Sequence, residues 1–192
     1  SVTLVKDTQH LLPLDPAKRP RAALYYVETA PVSMADGTDK AKQIVIEELE
    51  RAGFTVTTKD WLDAYEETRK TAKKAFADEI RARAKKNHTL AVMEGMGAIM
   101  PEPEYDFPLQ GAGDTAVYVL SRISGEGSDR KPIKGDILLS DTEKRDILLL
   151  NEQYEKFMLV LNVGGPVNLT PVKDVKNILL LSQLGVETGN TL

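Results

Sequence analysis

Four short segments are apolar at nearly every position rather than at every second one: residues 22–27 (Ala-Ala-Leu-Tyr-Tyr-Val), 115–120 (Thr-Ala-Val-Tyr-Val-Leu), 158–163 (Met-Leu-Val-Leu-Asn-Val) and 178–181 (Ile-Leu-Leu-Leu). A strand with one face in water alternates apolar and polar residues, whereas a strand buried on both faces does not. Such strands demand a sheet covered by helices on both sides. The intervening sequence supplies them. Ala41, Ile44, Val45, Leu49 and Ala52 recur at helical spacing and stop at Gly53. Residues 54–57 read as a further strand, 61–87 as a polar helix rich in Lys, Arg and Ala, and 89–93 (Thr-Leu-Ala-Val-Met) as another strand. Ser140 followed by Glu143 reads as an N-cap with its capping acid. It opens a helix expected to run to about Phe157, with Ile147, Leu148, Leu150 and Tyr154 on its inner face. The fold expected is α/β, a three-layer α/β/α sandwich with a mostly parallel central sheet.

The length of 192 residues suits one domain spanning the chain. A net charge of −4, from 25 basic and 29 acidic residues, supplies no basic face for a phosphate backbone, so no nucleic-acid partner is expected. The absence of cysteine excludes disulfides, thiolate metal sites and a cysteine nucleophile. His10 and His88 stand far apart without ligand-spaced neighbours, so neither a metal nor another cofactor is expected. No apolar run approaches the length of a membrane span. The expectation is a soluble protein without a membrane partner, the cytoplasm being favoured. Both ends fall mid-pattern, and the chain is expected to be a piece of something larger.

In open α/β sheets ligands gather at the carboxyl ends of the strands. The segment Ser121-Arg122-Ile123-Ser124-Gly125-Glu126-Gly127-Ser128-Asp129-Arg130 places a carboxylate between two glycines just beyond a buried strand. The flanking glycines let Glu126 project away from the domain. Asp129 and Arg130 can fix the segment by ion pairing, and Arg122 can do so from the strand end. An ordinary surface turn with a solvated Glu has the same spacing. Trp61 reads either as an open stacking platform or as a packing residue. A nucleotide-binding fold fits the alternation of strands and helices, but no G-x-G-x-x-G turn follows the first apolar strand.

The run SRISGEGSDR, followed by Lys131-Pro132 and Gly135-Asp136, resembles the motif in the α/β sandwich domain of family 3 glycoside hydrolases, mainly bacterial β-glucosidases. Residues 1–7 with 11–14 resemble the opening of that domain, LNVGGPV at 161–167 its strand and turn, and SQLGVETGN at 182–190 its following loop. The resemblance implies a retaining enzyme of β-linked glucosides. Its nucleophilic aspartate comes from a separate (β/α) barrel domain, the expected partner of this one, and Glu126 matches the acid/base. It also implies that Ser33, in the loop after the first apolar strand, can bond a sugar hydroxyl, although a turn or N-cap serine fits that position as well. Related N-acetylglucosaminidases imply the alternative of a non-catalytic interaction or scaffold domain whose parent keeps its acid/base elsewhere.

Overall fold

The computed structural model describes residues 2–12, 15–18, 20–29, 38–96, 98–100, 102–122 and 129–182. Their elements are β1 (Val2–Asp7), β2 (Arg21–Thr29), α1 (Thr38–Arg51), β3 (Thr55–Val56), α2 (Lys59–Lys86), α3 (Ala91–Gly95), β4 (Thr115–Arg122), α4 (Asp141–Gln153), β5 (Lys156–Val163) and β6 (Asn177–Leu181), with 3₁₀ turns at Pro16–Lys18 and Thr170–Val172. Six strands form one sheet in the order β1-β6-β5-β4-β2-β3. All pairings are parallel except that of β1 with β6.

Burial explains why the apolar runs do not alternate. Every residue of β4 is buried, as are seven of the eight in β5, so helices must cover both faces. Tyr105 locates two of those helices on one face. Its ring packs against Trp61 and Tyr65 of α2, while its hydroxyl donates to Asp146 of α4. Right-handed crossovers then assign α1, which connects β2 outward to β3, to the other face. Trp61 is 6% exposed and lies among Tyr25, Tyr65, Tyr105 and Phe107, so it is a core residue and not an open stacking platform.

Two local expectations need correction, and one strand goes unread in the sequence. Residues 89–93 form no strand. β4 is paired on one side with β2 and on the other with β5 along its whole length, which leaves no slot for them. They turn instead into the short helix α3, whose Glu94 accepts hydrogen bonds from Asn87 Nδ2 at 2.9 Å and Thr89 Oγ1 at 3.0 Å. These bonds hold the Glu94 carboxyl below its usual range. Second, α4 stops at Gln153. Tyr154 caps it and trades hydrogen bonds with the backbone of Gly111, while Phe157 already pairs with Ala116 in the sheet. The unread strand, Val2–Asp7, is an edge strand that the buried-run criterion overlooks, because Val2, Leu4 and Val5 remain exposed.

Candidate functional site

β2, β4, β5 and β6 run parallel, so their carboxyl ends line one edge of the sheet. Thr29, Arg122 and Val163 lie in register across it. Ser33 and Glu126 lie outside the described residues. The points from which the chain departs toward them are described: Thr29 and Arg122, neighbours on that edge, each four residues before the candidate. Four residues of extended chain reach at most about 14 Å.

Arg122 closes β4 and is 2% exposed, which is exceptional for a guanidinium. Its Nη2 donates to Glu143 Oε2 at 2.6 Å and its Nε to the Asp136 carbonyl at 3.3 Å. Glu143 is fully buried on the first turn of α4. There it completes the capping box that the sequence predicts: Ser140 Oγ accepts from the Glu143 N–H at 3.0 Å, and Glu143 Oε2 accepts from the Ser140 N–H at 2.7 Å. One carboxylate therefore both starts a helix and neutralises the cation at the end of the central strand.

Beyond the undescribed residues 123–128 the chain is tied down again, at the same neighbour. Asp136, 2% exposed, accepts from Arg130 Nε and, at 2.6 Å, from the Lys131 N–H. Asp136 thus meets Arg122 through its carbonyl and Arg130 through its carboxylate. Arg130 also lies against Gly165, after β5, where an added Cβ would stand 3.0 Å from Nη1. Asp129 is exposed and makes no ion pair among the described residues.

Behind this edge lies a cluster of acids that sequence reasoning missed. Glu102 Oε2 accepts from Ser140 Oγ at 2.9 Å, and Asp146 accepts from Tyr105 and, at 2.8 Å, from Arg145 Nε. Burial pushes the Glu102 carboxyl well above the usual range, and the adjoining Glu143 pushes the same way against Ser140 and Arg122. Burial also raises Asp146, opposed by its bonds from Arg145 and Tyr105. The capping signature marked Glu143 as a helix start but gave no sign of its partner 21 residues away. Glu102, inside Pro-Glu-Pro-Glu-Tyr, carried no signal of burial at all. Among the described residues no group of three or more His, Asp or Glu could hold a metal ion.

No family model matches the chain. Individual proteins do. β-Glucosidase A of Butyrivibrio fibrisolvens is 33% identical over 101 residues, covering 40% of this chain and 12% of that protein. A β-glucosidase of Ruminococcus albus is 31% identical over 58 residues, covering 30% of this chain and 6% of that one. The structure of β-glucosidase 3B from Thermotoga neapolitana, in complex with glycerol, superposes over 98% of this chain and 26% of its own, with a TM-score of 0.61 and 28% identity. The chain is similar to these β-glucosidases over part of their length. It spans about a quarter of the Thermotoga chain and a smaller share of the two curated relatives. The Thermotoga enzyme has also been solved in complex with α-D-glucose. The described anchors Arg122, Arg130 and Asp136, which flank residues 123–128 in the chain, lie on the sheet edge where α/β folds collect their ligands.

Proposed function

We propose that this chain is the acid/base-bearing domain of a retaining β-glucosidase, with Glu126 as the acid/base and the nucleophilic aspartate on a (β/α) barrel domain outside it. The observation that carries the reading is the double anchorage at Asp136, where Arg122 and Arg130 fasten the chain on either side of a six-residue segment with Glu126 inside it. A segment held at both ends on a strand terminus can present one side chain to a neighbouring domain reproducibly.

The chemistry explains why the acid should stand on such a segment. A retaining glycosidase places two carboxyl groups about 5–5.5 Å apart: one attacks the anomeric carbon while the other, initially protonated, gives its proton to the departing oxygen. The acid must therefore have a raised pKa, which burial under a docked domain and the nucleophile's negative charge both supply. After the glycosyl-enzyme forms, the same group, now a carboxylate, takes a proton from the incoming water. In this reading Ser33, in the chain that leaves the adjacent strand β2, donates to a sugar hydroxyl, and Arg122 and Arg130 support the acid-bearing segment without touching substrate, whereas the exposed Asp129 makes no ion pair among the described residues that would do so.

The test uses the full-length protein on a series of aryl β-glucosides. Glu126→Ala is expected to lower kcat/KM by about 10²–10⁴-fold when the leaving group needs a proton, and much less when it departs readily as an anion. A uniform loss across the series would instead favour the scaffold reading. The 192-residue chain alone is expected to show no turnover.

A further inference from the structure

Glu102 is a buried acid that this chemistry does not use. Its Oε2 accepts from Ser140 Oγ at 2.9 Å, and Tyr65 OH donates to its Oε1 at 3.4 Å. Ser140 Oγ is itself the acceptor for the Glu143 N–H, which leaves its single proton for Glu102. Glu143 Oε2 receives both Arg122 Nη2 and the Ser140 N–H. Glu143 Oε1 is different: it is buried and no N–H or O–H of another group donates to it. Ser140 brings the Glu102 carboxyl beside Glu143, since its Oγ donates to Glu102 while its Oγ and N–H both bond Glu143. A buried acceptor without a donor is costly, and so are two ionised carboxylates in contact beside one guanidinium. A proton held between the two carboxyls removes both penalties.

We propose that Glu102 is kept as a neutral acid that donates its proton to Glu143 Oε1, and that it is thereby a positioning residue for segment 123–128, acting through Glu143 and Arg122. The groups that face it are Arg122 and Tyr118 from β4, Ser140 and Glu143 at the start of α4, Tyr65 from α2, and Tyr105 on its own segment, through which Asp146 of α4 is reached. Burial and the charge of Glu143 act together to retain the proton. Once it is lost, two anions compete for Arg122, and the anchor at the end of β4 loosens. The shared proton follows from the cluster alone, whereas its consequence for catalysis rests on Glu126 being the acid/base.

The experiment compares wild type, Glu102→Gln and Glu102→Ala in the full-length protein, measuring stability against pH together with kcat/KM. The folded pKa of Glu102 lies above its unfolded value, so its contribution is complete at acid pH and declines as pH rises past the ordinary carboxylate range. The decline approaches tenfold in the folding equilibrium per pH unit until the folded group titrates. Gln is neutral at every pH and offers Glu143 an N–H, so Glu102→Gln should abolish that decline and keep kcat/KM within about threefold of wild type. Glu102→Ala, which leaves Glu143 Oε1 without a donor, should lose at least about tenfold in kcat/KM. The infrared difference spectrum of wild type minus Glu102→Gln should show the carbonyl stretch of one protonated carboxyl. An unchanged pH slope in Glu102→Gln, or a Gln variant that is destabilised at acid pH or fails to fold, overturns the proposal, since Glu102 would then be needed as an anion. A lost slope in a protein whose Glu126→Ala variant shows no leaving-group dependence retains the proton-sharing pair and removes its catalytic consequence.

Discussion

The two ends of β4 are fastened by opposite means. At the amino end, Asp114 pairs with Lys156 at 2.9 Å in open water, the side chains 50% and 40% exposed. That end also borders a cavity of about 570 Å³ lined by His10, Arg21 and Asp114 among others, on the sheet edge away from the candidate site. Close backbone packing holds it: Gly113, at φ 115°, passes so near β2 that an added Cβ would lie 2.4 Å from the Arg21 carbonyl oxygen. At the carboxyl end the fastening is a charge pair, Arg122 with Glu143, 2% and 0% exposed. Exposed pairs contribute little to stability, and buried pairs are weak stabilisers compared with apolar packing. The buried pair must be justified by something other than stability, and its position suggests a role in fixing the direction in which the chain leaves Arg122.

This contrast can be broken by mutation. The largest effect is expected at the carboxyl end, where Glu143→Ala leaves Arg122 buried and unpaired and removes the capping acid. A loss of about 3–5 kcal/mol in unfolding free energy is predicted by denaturant titration. A value near zero would mean that Arg122 finds water or another partner, and the contrast would fail. At the amino end, Gly113→Ala meets backbone that cannot swing aside and adopts a conformation strained for any side chain. It should cost about 1–3 kcal/mol by the same method. Asp114→Ala should cost least, about 0.5 kcal/mol or less, and the cost should shrink further in high salt. Its pH dependence has a definite sign. The bond from Lys156 holds the Asp114 carboxyl below its usual range, so its small contribution is complete above that range and is lost as pH falls through the lowered value.

The apolar runs revealed the sheet because double-sided burial leaves a signature in single residues: β2, β4, β5 and β6 were all legible. β1 was not, since an edge strand with Val2, Leu4 and Val5 in solvent has no such signature. Residues 89–93 misled for the converse reason. An apolar run just before β4 can join the sheet beside β4 only if that side is free, and β2 and β5 already occupy both sides, which is a property of the whole topology. At the candidate site the motif carrying Glu126 was legible from its glycines and its place after a buried strand. The anchors were legible only in part: Arg122 and Arg130 stood out, but Asp136 and Glu143 meet them, and Glu102 meets Ser140 of the same capping box, through the tertiary fold. Local spacing cannot show that the acid of a capping box is also the counter-ion of a strand end.

The claim that Glu126 gives and takes the proton is tested most directly by the product that Glu126→Ala forms in azide. In a retaining enzyme without its acid/base, a substrate with a good leaving group still glycosylates the nucleophile. Azide, which needs no general base, then attacks from the face the leaving group vacated. If Glu126 is the acid/base, turnover is faster with azide and a glucosyl azide in the β configuration accumulates. Turnover indifferent to azide, with glucose as the sole product, would contradict it.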